Sequence, residues 1–212
     1  MAMGTKWIVI SGLDGSGKTT LVENLERHFA GTMKQRVKRD RLPHDPYLVG
    51  TLLDKSTSKY TDRMLFALDN RLFAEEYEKW SESGEYDIVL TQRGFLDSFV
   101  HGAVQGFSYS FIAELNRISE LPKCHVIVHL VAEAETAYER IKDDPLADKF
   151  EYLEYIRKQE TQTRRAYREL QEGNKDLEHF KDAINIYVDT TQLSTDETFE
   201  IVLKRFKEHG IV

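Results

Sequence analysis

Apolar and polar positions change period several times along this chain. Trp7-Ile8-Val9-Ile10 is a short apolar run, largely β-branched, ending in Ser11-Gly12. It predicts a strand that enters a glycine loop. After Lys18, apolar residues fall at Leu21, Val22, Leu25 and Phe29, which is helical spacing, and Gly31 is where that helix is expected to stop. Residues 36–41 are basic and read as a second strand. From about Thr61 to Ser83 the pattern is helical again, with Phe66, Phe73, Tyr77 and Trp80 on one face and Gly84 as its end. Asp87 to Thr91 has the continuous apolar character of a buried strand. Helical segments are expected over about 96–119, a strand over His125 to Val131, and a helix over about 133–142 that breaks at Asp143-Asp144-Pro145. A long amphipathic helix follows at about 150–172, then a strand over Ile184 to Val188. Ser194-Thr195-Asp196-Glu197 has the form of a capping box, and Phe199, Val202, Leu203 and Phe206 line the closing helix.

Five strands alternating with helices imply βα units. The expected fold class is therefore α/β, a five-stranded parallel sheet with helices on both faces in three layers. Ligands of such sheets bind at the carboxyl ends of the strands, so the loops after residues 11, 91 and 131 should meet at one cleft. The 212 residues suit one domain over 1–212, with no repeat and no linker.

Charge and composition narrow the function. The formal net charge of -7 argues against a general nucleic-acid binder. No apolar run approaches membrane-spanning length, and the start is not a signal peptide, so a cytoplasmic protein is expected. The single cysteine, Cys124, precedes an apolar run and reads as a half-buried structural thiol rather than a nucleophile.

The chemistry enters at Gly12-Leu13-Asp14-Gly15-Ser16-Gly17-Lys18-Thr19, which fits G-x-x-x-x-G-K-[ST] between a strand and a helix. Glycines let the backbone turn so that successive N–H groups point at phosphate oxygens, and the helix N-terminus adds its positive end. This is a P-loop, and it predicts ATP as the bound nucleotide. Lys18 is expected at the β- and γ-phosphates, and Thr19 as the hydroxyl ligand of Mg²⁺.

A P-loop specifies a nucleotide but not an acceptor. Three segments speak to the acceptor. Gly12-Leu13-Asp14-Gly15-Ser16-Gly17-Lys18-Thr19-Thr20 looks like G-x-D-G-x-G-K-T-T, and Met64 to Arg71 looks like L-L-F-A-A-D-R. Thr91-Gln92-Arg93, followed by Asp97-Ser98 and Gln105-Gly106, looks like D-R-[YF]…D-S…Y-Q-G. In these the chain resembles the thymidylate kinase family of nucleoside monophosphate kinases. The resemblance implies a P-loop NTPase fold and transfer of the γ-phosphoryl of ATP to a nucleoside monophosphate, thymidylate foremost.

It also implies roles. Gly12, Asp14, Gly15, Ser16, Gly17, Lys18, Thr19 and Thr20 would hold ATP. Asp14, Arg41, Phe66, Asn70, Arg71, Arg93 and Gln105 would hold the acceptor. Phe66 would stack on the base, Gln105 would meet its edge, and Arg93 and Arg41 would clamp the acceptor phosphate. Arg36, Lys38 and Arg39 compete with Arg41 for that part. Arg140, at the end of its helix in a short lid segment near 140–150 with Lys142 and Lys149, would put a cation on the transferring group. Lys18 and Arg93 complete the catalytic set. Members of the family are often dimers, and the helices at 61–83 and 96–119 offer a homodimer surface.

The chain departs from the family in three places. Gln92 stands for the acid before the arginine, Gly94 for the aromatic after it, and Asn70 for the arginine of the F-A-A-D-R segment. Two alternatives stay open here. A deoxynucleoside kinase would need a carboxylate base, for which Asp14 or Asp97 would have to serve. A P-loop module that binds nucleotide with little catalysis would tolerate Gln92.

Overall fold

In the computed structural model, which describes residues 4–52, 56–143 and 152–212, β1 (Lys6–Gly12) is the central strand of a five-stranded sheet. The elements follow as α1 (Lys18–Arg27), β2 (Val37–Arg41), α2 (Pro46–Leu52), α3 (Lys59–Ser83), β3 (Ile88–Gln92), α4 (Phe95–Val104) and α5 (Tyr109–Asn116). Then come β4 (Val126–Val131), α6 (Ala134–Ile141), α7 (Leu153–Gln171), β5 (Ile184–Asp189) and α8 (Thr195–Glu208). The strand order is β2-β3-β1-β4-β5, and every pairing is parallel.

Alternation along β1 divides the core in two. Ile8 and Ile10 point to one face and pack with Leu21, Val22, Leu25 and Phe29 of α1 and its continuation and with Val202 and Phe206 of α8. Trp7 and Val9 point to the other face, among Phe73 and Tyr77 of α3, Phe95 and Phe99 of α4, Ile112 of α5 and Ala166 of α7. A strand buried on both faces must be apolar at successive positions, which is why these strands read as unbroken apolar runs. Each fully buried Leu, Ile or Phe contributes about 1.5–3 kcal/mol by leaving water.

Local differences from expectation have local causes. The first helix does not stop at Gly31; it widens into a π turn over His28–Thr32, and Lys34 follows with φ 58°. The helical segments expected over 96–119 are α4 and α5: Gly106 adopts φ 88° between them, and the Ser108 hydroxyl accepts the Phe111 N–H to start α5. Helix α2 has no sequence-based counterpart above. It is only seven residues long and is set by Asp45, whose carboxylate accepts the N–H groups of Tyr47 and Leu48 beside Pro46. The capping box at Ser194 and Glu197 forms in both directions. Cys124 is half-buried, and burial pushes its thiol up to about 12. Residues 144–150 of the expected lid, including Lys149, lie outside the described residues. Among the described residues no helix is long and apolar enough to cross a membrane.

Candidate active site

The carboxyl ends of β1 and β3 lie side by side, since Ile10 pairs with Gln92. Gly12 ends β1, and residues 13–17 form the loop that leads into α1. Gly15 takes φ 80°, and a Cβ there would lie 2.1 Å from the Ala137 carbonyl oxygen, so only glycine lets the loop settle against α6. Helix α1 begins at Gly17 with no side-chain cap. Its first N–H groups therefore face the cleft without a side-chain acceptor, the arrangement that receives phosphate oxygens.

Three buried charges meet beneath this loop. The Lys18 ammonium donates to the carbonyls of Gly12 and Leu13 at 2.9 and 2.8 Å and to Asp14 Oδ1 at 3.2 Å. Arg93 Nη2 donates to the same Asp14 oxygen. Burial alone would raise the Asp14 carboxyl. The Arg93 and Lys18 charges outweigh that and hold it well below the usual carboxylate range. Burial lowers the Lys18 ammonium, and Asp14 opposes the change.

Arg93 reaches this position through an uncommon backbone. Its φ is 69°, left-handed for a residue with a β-carbon, while its N–H still donates to the Ile10 carbonyl at 2.9 Å. Such geometry costs of order 1–3 kcal/mol and persists where the surroundings enforce it. Here it turns the chain off β3 and aims the guanidinium back at Asp14 of the P-loop. Gly94 follows, and a Cβ there would lie 2.7 Å from Val9 Cγ1. The backbone runs so close to β1 that any side chain at this position would press on Val9. Asp97 Oδ2 accepts the Gly94 N–H and starts α4, and burial raises its carboxyl against the lowering charge of Arg93.

Two cavities flank the cluster. The larger, of about 450 Å³, is lined by the P-loop from Asp14 to Leu21, by Arg41 and Gln92, and by Arg140, Thr190, Leu193 and Ser194. The smaller is lined by Arg63, Phe66 and Asn70 of α3, by Arg93 and Gly94, and by Asp97, Ser98 and His101 of α4. Asp14, Ser16, Gly17, Lys18, Thr19 and Thr20 therefore share the first cavity. Phe66, Asn70 and Arg93 share the second.

The remaining expected positions divide. Arg41 ends β2 and borders the large cavity beside Gln92. Its competitors are engaged elsewhere: Arg36 pairs with Asp87, Lys38 lies over the Trp80 ring, and Arg39 binds Glu23 and Glu26. Arg140 donates to the carbonyls of Gly15 and Thr190 at 3.3 and 2.9 Å, and so ties the outer side of the P-loop to the β5–α8 loop. Asn70 Nδ2 donates to Ser98 Oγ at 2.9 Å and to Asn116 Oδ1 at 2.6 Å. Arg71 is turned to the surface, where it pairs with Glu120 at 3.3 Å. Gln105 caps α4 and faces Asp62 at 3.4 Å, outside the lining of the small cavity.

The structure adds residues that the linear pattern passes over. Asp14 N–H donates to Gln159 Oε1 at 3.2 Å, and Gln159 Nε2 lies 3.3 Å from His101 Nε2. His101 Nδ1 is 2.9 Å from the Tyr155 hydroxyl, and its ring stacks on Phe66 within 16° of parallel. Burial, reinforced by Arg93, holds the His101 imidazole down to about 3, so it is neutral. A short polar chain from α7 thus joins the P-loop to the small cavity. Thr190 and Leu193, in the loop after β5, line the large cavity, whereas only the loops after residues 11, 91 and 131 were expected at the cleft. Nothing in sequence spacing pointed to Gln159, 145 positions from its partner.

Among the described residues no group of three or more His, Cys, Asp or Glu side chains is placed to hold a metal ion by itself. The donor at hand is the Thr19 hydroxyl, now 3.2 Å from Gln92 Oε1 at the mouth of the loop. One hydroxyl suits Mg²⁺ that arrives with nucleotide, because Mg²⁺ keeps several waters and takes phosphate oxygens with few protein ligands.

This two-cavity P-loop site agrees with wider similarity. The sequence profile described as thymidylate kinase matches residues 10–188. The chain belongs to the thymidylate kinase family. Among relatives in that family, the probable thymidylate kinase 1 of Saccharolobus solfataricus is 32% identical over 156 residues, 72% of this chain and 76% of that protein. The probable thymidylate kinase of Pyrobaculum aerophilum is 30% identical, covering 72% and 78% of the two chains. That of Methanocaldococcus jannaschii is 25% identical over 211 residues, 95% of each chain. Gln92 borders the large cavity, and Gly94 and Asn70 line the small one.

Proposed function

We propose that the protein transfers the γ-phosphoryl group of ATP to thymidylate, giving thymidine diphosphate and ADP. The observation that carries this reading is the buried Lys18–Asp14–Arg93 cluster between the two cavities. ATP would lie along the large cavity, with its phosphates on the P-loop amides and its base toward Leu193 and Ser194. The acceptor would lie in the small cavity with its phosphate at Arg93. Both phosphates then face one pair of cations. Phosphoryl transfer needs just this positioning and charge screening, with little proton chemistry. Mg²⁺ held by Thr19 would screen the β- and γ-phosphate charge. The single sheet running from Lys6 to Asp189 supports one kinase domain. Exposed Tyr60, Met64 and Leu68 on α3 support a homodimer surface.

A monophosphate supplies its own anionic oxygen, whereas a nucleoside hydroxyl needs a base. Asp14, held ionised by two cations, is too weak a base for that. Asp97, its carboxyl raised by burial at the small cavity, is the group a deoxynucleoside kinase would use. A coupled ADP-release assay with Mg-ATP, a panel of nucleoside monophosphates, their parent nucleosides and no acceptor separates these readings. Stimulation by thymidylate is expected. Stimulation by nucleosides alone would replace the proposal with the Asp97 mechanism, and ATP binding without ADP release would make the protein a binding module.

A further inference from the structure

Arg63 is a cationic side chain on the wall of the small cavity that the proposed reaction does not use. It is 2% exposed, yet its Nε and Nη2 have no hydrogen-bond partner, and Nη1 reaches only the Ser98 carbonyl at 3.4 Å. The oxygens of neighbouring Asp62 take hydrogens from Thr57 and Gln105. A buried guanidinium with two idle donors is costly, and a protein retains one where a ligand completes it. Helical spacing places Arg63, Phe66 and Asn70 on one face of α3, and the guanidinium carbon lies 4.4 Å from the Phe66 ring centre. The Asn70 Nδ2 hydrogens are already committed to Ser98 and Asn116, so Asn70 has little to donate to an oxo group of an entering base. Burial lowers Arg63 to about 10, which leaves it charged at neutral pH.

We infer that Arg63 selects the acceptor base: its free N–H groups donate to the 4-oxo oxygen of a pyrimidine bound beside Phe66. This rests on the monophosphate reading above. Guanidinium is a donor only. It is satisfied by the oxo group of a thymine- or uracil-type base and opposed by the 4-amino group of cytosine, which would leave both donors buried and unpaired. The cavity holds only about 10 Å³ as it stands, so the Phe66 and His101 rings part to admit the base, and the Arg63 donors meet what enters.

The test is calorimetric titration of dTMP, dCMP and ATP into the wild-type protein, Arg63→Met and Arg63→Lys, with thermal midpoints for all three proteins. The wild type should prefer dTMP over dCMP by at least about tenfold. R63M should lose about 10- to 100-fold in dTMP affinity, keep its ATP affinity, and melt no lower than wild type, because an unpaired buried charge has been removed. R63K should recover part of the dTMP affinity. An unchanged dTMP-to-dCMP ratio in R63M would overturn the inference, as would a lower midpoint with loss of ATP binding, which would make Arg63 structural. Wild-type protein that binds neither monophosphate would overturn the proposed function along with it.

Discussion

Asp14 and Arg93 stand 79 positions apart, yet the guanidinium of one donates to the carboxylate of the other beneath the P-loop. Lys18 donates to the same carboxylate oxygen. The anion keeps the two cations close together, so the charge of an incoming nucleotide would meet a site already assembled.

Asp14→Asn should therefore cost stability. It would leave two buried cations without their shared anion, a change of about 3–5 kcal/mol. The sign with pH follows from the depressed Asp14 carboxyl. Its contribution is complete above the ordinary carboxylate value of 3.8 and declines below it as pH falls toward the folded-state value. Denaturant melts should show a wide gap between wild type and D14N at pH 7 that narrows below about pH 4. A gap that stays constant down to pH 3 would mean the carboxylate is not what holds the cluster.

Gln92→Asp places a carboxylate beside the Thr19 hydroxyl, where an amide oxygen now sits at 3.2 Å. The added charge should tighten Mg²⁺-dependent ATP binding by about three- to tenfold, since cation affinity follows ligand charge. ATP titrations at a series of Mg²⁺ concentrations measure it directly. Equal Mg²⁺ dependence in the two proteins would place Gln92 outside the ion's reach.

Arg140 bonds to backbone carbonyls on both sides of the large cavity. Arg140→Ala should raise the KM for ATP by about tenfold, the loss of charged hydrogen bonds, while kcat falls less. A fall in kcat at unchanged KM would give Arg140 the part of a cation on the transferring group instead.

Gly94→Ala brings a methyl group to 2.7 Å from Val9 on the central strand. Overpacking of this kind should lower stability by about 1–3 kcal/mol, and an aromatic side chain at the same position should cost more. Thermal melts check this, and an unaltered midpoint for G94A would show that Arg93 and Gly94 can move off β1 freely.

Much of the fold was legible because its signals are local. Four apolar runs became β1, β3, β4 and β5, since a buried strand must be apolar at successive positions, while the basic run at 36–41 became the partly exposed edge strand β2. Phe66 was legible as an aromatic position in a motif, and the cavity it lines was not. Arg71, adjacent to Asn70 in the motif, turns to the surface because one residue along a helix rotates the side chain by about 100°. Asn70 and Arg71 therefore occupy opposite settings despite being neighbours, and no count of motif matches separates them.

The sequence by itself determined the parallel α/β sheet, the glycine loop, and the lysine and threonine that follow it. Each depends on residue types within a few positions, where steric and periodic rules act directly. The tertiary structure decided which distant charges share one site. Arg93 turns back to Asp14 through a left-handed backbone, Gln159 reaches the P-loop from α7, and Arg63 is buried against the small cavity with two donors idle. Burial and pairing arise from how helices seat on the sheet, and that geometry fixes both the charge state of a side chain and what it can bind.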